Sequence, residues 1–226
     1  MINDGAGDSM LLALRAFVLG PFQPARYLPR MEARSALAVV FTALVIQSSS
    51  IMFVAVMSPA RLVSEVETAL SRRNPSGYSV EQVMWRRARA QSLTRIRELL
   101  TVVLALTAFW ALVGWRLSKN RFDIIGGTFS VVVFASIPET WLFVIRAVWL
   151  AGSGVDMGTV TLATLLPTHA FGLEHLTIST LWWAHLASVG FALLWRRSGY
   201  LVPAIVWSAT IGYQFLSPVV FHLLRR

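Results

Sequence analysis

Apolar positions gather into five blocks, at residues 35–57, 99–115, 124–150, 176–195 and 201–223, separated by short stretches that hold most of the charge. A helix rises about 1.5 Å per residue, so about 30 Å of hydrocarbon takes roughly 20 residues, and each block is read as a transmembrane helix. Ahead of them, residues 9–20 (SMLLALRAFVLG) are apolar but too short to span. Leu11, Leu14 and Val18 recur there at helical spacing, which predicts a helix lying in the membrane interface. Pro21, Pro24 and Pro29, interleaved with Arg15, Arg26, Arg30 and Arg34, then form an irregular basic collar.

Residues 58–97 are the only sizeable water-facing stretch. Leu62, Val63, Val66 and Leu70 mark one amphipathic helix, and Asn74-Pro75-Ser76-Gly77 is a turn cluster. Ser79-Val80-Glu81-Gln82 has the form of a capping box, opening a second helix with Val83, Met84, Leu93 and Ile96 as its apolar positions. That helix is expected to run unbroken into the block at 99–115. The third block, entered through Gly126-Gly127, is about 27 residues long and exceeds the bilayer, so a tilt or a kink at Pro138 is expected. Arg196-Arg197-Ser198-Gly199 reads as a tight turn between the last two blocks. The predicted fold is an all-α, five-span membrane bundle over residues 35–226. An N-terminal interfacial segment, residues 1–34, precedes it, and an amphipathic hairpin over 58–97 lies between the first two spans.

Composition agrees. Hydrophobic residues are 56% of 226 and charged residues 14%, against about 25% charged in soluble domains. The net charge of +9 would suggest nucleic acid in a soluble protein, but these basic residues flank apolar blocks, so topology and anionic lipid account for them and no nucleic-acid partner is expected. Arg86, Arg87 and Arg89 on the hairpin are candidate lipid or partner contacts. With no cysteine, disulfides, thiolate metal sites, covalent haem attachment and cysteine nucleophiles are excluded. The N-terminus has no basic residue before its apolar stretch, and a cleaved signal peptide is not expected. Basic residues at the collar, at Arg116, Lys119 and Arg121 and at Arg196-Arg197, against none in residues 151–177, predict a cytoplasmic N-terminus and a C-terminus on the opposite side. The eight arginines of 58–97 oppose that orientation, but long loops weigh less. An almost lysine-free basic complement suggests a bacterial cytoplasmic membrane by association. The nine tryptophans, Trp115, Trp149, Trp182, Trp183 and Trp195 among them, cluster near block ends as an aromatic belt does.

Counting from the block limits, Gln47 and Ser49, Pro138 and Glu139, His185, and Tyr213 and Gln214 fall near the middle of four spans. Polar groups at that depth face the bundle interior and find partners. A buried polar layer is therefore expected, with Glu139 and His185 in contact. Such a layer serves as interhelical glue or, with a carboxylate in a proline-interrupted span, as a proton or solute path. Arg146 lies about two turns beyond Glu139 and is expected to extend its guanidinium to the headgroups.

Chemistry-bearing motifs are few. His169, Glu174 and His175 offer metal-type ligands, but their spacing matches no zinc signature, and interfacial anchoring is the expected role. His185 lacks a second histidine at matching depth for haem. No catalytic triad order, phosphate loop or paired carboxylates are present, and Gly126-Gly127 reads as tight helix packing. No enzyme activity, cofactor or metal is expected.

The lead-in RAFVLGPFQPARYL, the Gly-Gly entry to a small-x-Pro element in GGTFSVVVFASIP, and the closing pair STLWWAHLASVGFALLWRRSGYLVPAIVW together resemble the Yip family, the Ypt/Rab-interacting-protein type of five-span membrane domain, in its small bacterial form. The resemblance covers nearly the whole chain. It implies five spans, a cytoplasmic N-terminus and a non-enzymatic role, with no catalytic residues to transfer. The long cytosolic tail through which eukaryotic members engage small GTPases has no counterpart, so that partner is not carried over. The resulting expectation is a scaffold or accessory subunit of a larger membrane assembly, whose partners are the bilayer, anionic lipids and other subunits or further copies. A transporter or proton-conducting component is the alternative.

Overall fold

The computed structural model describes residues 4–30, 32–57, 80–118, 124–153, 176–197 and 199–224. Among them every regular element is helical: α1 (Asp4–Leu19), a 3-10 turn (Gly20–Phe22), α2 (Pro24–Tyr27), a second 3-10 turn (Leu28–Arg30), α3 (Ala33–Met57), α4 (Val80–Leu117), α5 (Ile124–Ala135), α6 (Ile137–Ser153), α7 (Ile178–Leu194) and α8 (Leu201–Leu224). Among the described residues three helical stretches are long and apolar enough to cross a membrane: Arg34–Val54, Ala88–Leu117 and Ile124–Ser153. Ile178–Leu194 and Leu201–Leu216 are shorter apolar helices. The first half of the expected hairpin, 58–79, lies outside the described residues. Its second half joins the next apolar block in one 38-residue helix, α4.

The expected break in the third block falls at Ser136, between α5 and α6. Pro138 has no N–H to donate and its ring crowds the carbonyl four residues back. Placed second in α6, it sits where a helix tolerates that loss. At the joint, the Ser136 N–H is shared between the carbonyls of Val132 and Val133, both at 3.1 Å. The Ser136 hydroxyl also donates to the Val132 carbonyl at 2.9 Å, a back-bond that bends helices.

The chain divides into two compact units. The first comprises residues 1–40, 103–139 and 159–226. Its centre is α5 against α7: Val131, Val132, Val133, Phe134 and Ala135 of the one and Ala184, Ala187, Ser188, Gly190 and Phe191 of the other are buried, with the Phe134 ring lying against Gly20. Small residues set the approach: a β-carbon at Gly190 would lie 2.6 Å from Val131 Cγ1, and one at Gly127 would meet Leu194 Cδ1. Trp110, Phe191 and Trp195 stack beside this seam, with ring centroids 5.0 Å apart between the first two and 4.9 Å between the last two. Trp195 is fully buried, so it belongs to this core and not to an interfacial belt, whereas Trp115 is exposed. The reason is Gly114, which leaves room for the indole against α4. Beyond Trp195 the chain turns with Arg196 at φ 50° and Gly199 at φ 96°. Arg197 Nε donates to the Leu117 carbonyl at 2.9 Å, satisfying an open acceptor at the end of α4. On α1 the small and aromatic face, Ala13, Ala16 and Phe17, is buried, while Leu11, Leu14 and Val18 are exposed. Helix α8 packs on α7 through Val202 and Val206.

The second unit comprises residues 41–102 and 140–158. Ala43 and Gln47 of α3, Ala88 and Ser92 of α4 and Thr140 and Ala147 of α6 are buried in it. Arg95 lies over the Phe143 ring at 5.6 Å and pairs with Glu98 at 3.3 Å.

Candidate functional site

The best-defined polar contact joins two helices of the second unit. Gln47, 2% exposed, donates through Nε2 to the hydroxyl of Thr140, 1% exposed, at 3.0 Å. The other end of the amide, Oε1, is buried without a hydrogen-bond partner. Exchanging the amide oxygen and nitrogen would only move the unfilled position to the nitrogen. Gln47 reaches Thr140 because it continues the inward stripe Ser35, Ala36, Val39, Val40, Ala43, whose three- and four-residue steps keep one face of α3 turned inward. Ser49, two positions on, is exposed, and Ser50 donates to the Ile46 carbonyl of its own helix at 2.8 Å.

In the first unit, Thr177 Oγ1 accepts from the Thr180 N–H at 3.1 Å and caps α7. The Thr180 hydroxyl in turn accepts from Gln214 Nε2 of α8 at 3.4 Å. Tyr213, beside Gln214, is 66% exposed.

Glu139 and His185 are not brought together as expected; both side chains are exposed. The physical cause is which residues the helices turn inward. Pro138 and Thr140 flank Glu139 and are buried, and Ala184, Leu186, Ala187 and Ser188 around His185 are buried. Close helix packing selects small side chains for the seam, and that choice rotates residue 185 outward. Gly127 lies against Leu194 and Gly190 against Val131, so α5 and α7 run antiparallel where they meet.

Of the remaining candidates, Gly127 packs under Leu194, and Gly126 precedes it in the first turn of α5. Arg86 and Arg89 are exposed on α4 and Arg146 is half-buried on α6. The side chain of Arg87 and all of His169, Glu174 and His175 lie outside the described residues. Among the described residues no three His, Cys, Asp or Glu side chains gather as a metal site. Sequence reasoning missed Thr140 and Thr180, the two hydroxyls that receive the expected glutamines. Their signal was a threonine on the inward face at the depth of a glutamine, which only the helix rotation discloses.

Comparison of the chain with protein-family models, curated proteins and solved structures returns no match.

Proposed function

We propose that the chain is a five-span, Yip-like integral membrane protein of a bacterial cytoplasmic membrane, acting without catalysis as a scaffold or accessory subunit of a larger membrane assembly. The observation that carries this reading is the distribution of side chains on its helices. Large apolar residues point outward: Leu37, Phe41, Val45 and Phe53 on α3, and Leu104, Phe109 and Leu112 on α4. Small and polar ones point inward: Ser35, Ala43 and Gln47, Thr107 and Gly114, Thr128 and Ser130, and Ser188 and Gly190. Water gives no reason for that arrangement, whereas in lipid small residues let helices approach and buried hydroxyls bond across them.

In this reading the two shorter apolar helices, α7 and α8, complete the five spans, the N-terminus is cytoplasmic and the C-terminus lies opposite. The exposed Arg86 and Arg89 near the start of α4 face anionic headgroups. The resemblance to the Yip family supports the topology. A non-catalytic role accords with the absence of any nucleophile–base arrangement in the sequence.

Extraction of the full chain from native membranes into lipid nanodiscs, followed by native mass measurement, tests the role. The expected species carries at least one further protein subunit. A chain that always runs alone overturns it.

A transporter or proton-conducting role is the second reading, favoured by the unfilled Oε1 of Gln47 in a buried polar contact. It requires a proton or solute flux in liposomes that Glu139→Gln or Gln47→Leu abolishes. No flux under any imposed gradient removes it.

A further inference from the structure

The stretch that follows α1 runs beside the middle of α7. Trp182 Nε1 donates to the Pro21 carbonyl at 3.4 Å, and the Phe22 ring meets the Trp182 ring edge-on with centroids 5.6 Å apart. Seven residues after Pro21, Leu28 lies against Gly190, where an added β-carbon would be 3.3 Å from its Cδ1. Trp182 and Gly190 each stand four residues from an end of α7, roughly 6 Å along the axis. Residues 21–28 are therefore anchored along the central part of that helix, within a side chain's reach of it.

One side of this stretch is closed and the other open. Gly20, Pro21, Tyr27 and Leu28 are buried, whereas Phe22, Gln23 and Arg26 are exposed. Arg26 Nη1 donates to Gln23 Oε1 at 3.4 Å, and the guanidinium carbon lies 5.8 Å from the centroid of the Tyr27 ring. Neither contact neutralises the charge, and among the described residues Arg26 makes no ion pair. The two contacts hold the guanidinium beside the Gln23 amide and leave most of its N–H donors open. Next to these donors, Val18, Leu19 and Phe22 are large, apolar and exposed. A guanidinium in a membrane segment is expensive against acyl chains alone. A free oxyanion would answer the donors and leave the apolar strip bare, whereas an anionic amphiphile answers both.

We propose that this lead-in binds an anionic phospholipid, its phosphate accepting from Arg26 and the Gln23 amide and an acyl chain lying along Val18, Leu19 and Phe22. The planar fork of an arginine suits a phosphate in two-point contact. The anchors at Trp182 and Gly190 fix the stretch to α7, so the lipid is held by the fold and not by a loose tail. The proposal rests on the reading that α7 lies in a membrane and gives one partner of that reading a defined site.

The full-length chain in mild detergent is titrated with phosphatidylglycerol or with phosphatidylcholine of equal chain length and read by native mass spectrometry. Phosphatidylglycerol is expected to bind several times more tightly. Arg26→Gln is expected to lower that affinity roughly tenfold, and Arg26→Lys by less, since an ammonium keeps the charge without the fork. Arg34→Gln, at another exposed arginine of the same collar, is expected to leave it largely unchanged. Inorganic phosphate, against chloride at matched ionic strength, is expected to leave the lipid bound. Displacement by phosphate would assign the donors to a free oxyanion and overturn the proposal. Equal affinity for the two lipids, or a loss in Arg34→Gln as large as in Arg26→Gln, overturns it as well. Alkaline carbonate separates the two failures: a chain that stays in the pellet without the lipid preference sinks only this site, whereas release into the supernatant sinks the membrane reading itself.

Discussion

The Gln47 amide and the Thr140 hydroxyl, both buried, hold α3 to α6 at 3.0 Å, yet one end of that amide bonds to nothing. The pair is therefore asymmetric. Thr140→Val leaves both ends of a buried amide without partners and is expected to cost about 1–3 kcal/mol. Gln47→Leu removes the orphan acceptor along with the bond and leaves only a hydroxyl that can turn to its own helix, so its cost is expected to fall below about 1 kcal/mol. Reversible unfolding of the two variants in mixed micelles checks the order. Equal losses, or a costlier Gln47→Leu, would contradict the geometry.

Gly190 sits where α7 meets α5, and any side chain there collides with Val131 Cγ1 and Cγ2. Gly190→Ala is expected to destabilise by about 1–3 kcal/mol, the usual range for overpacking. Val131→Ala removes the obstructing methyls, so the double variant should recover part of that loss. A double-mutant cycle gives the coupling, expected at about 0.5 kcal/mol or more for groups in contact. Strict additivity would mean that the helices do not approach through this glycine.

How far these relationships were legible in the sequence depends on what decides each. Helix positions were set by long apolar blocks, and α3 and α4 follow them closely because nothing in those blocks competes with helix. The break near Pro138 followed from the missing N–H, although the ring displaces it to Ser136. Rotation was not legible. On α1 the spacing of Leu11, Leu14 and Val18 predicts an interfacial helix but does not say which face packs, and it is Ala13, Ala16 and Phe17 that are buried. In an apolar segment hydrophobicity is nearly uniform around the helix, and residue size chooses the seam. The same choice turned Glu139 and His185 outward and hid Thr140 as the partner of Gln47.

Trp195 illustrates size selection from the other side. Its indole is fully buried between Trp110, Phe191 and Gly114, with Nε1 lacking a partner. Trp195→Ala should cost about 3–5 kcal/mol through the void it leaves. Trp195→Phe keeps the stacking on Phe191 and discards the unsatisfied N–H, so it should cost markedly less. Thermal unfolding followed by near-ultraviolet circular dichroism distinguishes them. A Phe variant as unstable as the Ala variant would show that Nε1 has a partner after all.

The sharpest consequence concerns residues open on the surface of the chain that a bilayer should nevertheless close to water. Leu104, Phe109 and Leu112 are exposed on α4, between Arg97 and Arg116, whose 19-residue separation corresponds to roughly 28 Å of helix, about the hydrocarbon thickness. Single cysteines at these three positions are expected to resist a membrane-impermeant maleimide in intact and in opened vesicles alike, and to react once detergent replaces the lipid. Cysteines at Arg86 and Arg89, equally exposed on the same helix but beyond Arg97, are expected to react without detergent from one side of the membrane. If Leu104, Phe109 and Leu112 label as readily as Arg86 in opened vesicles, the apolar exterior of α4 faces water or a removable partner, and lipid is not what selected it.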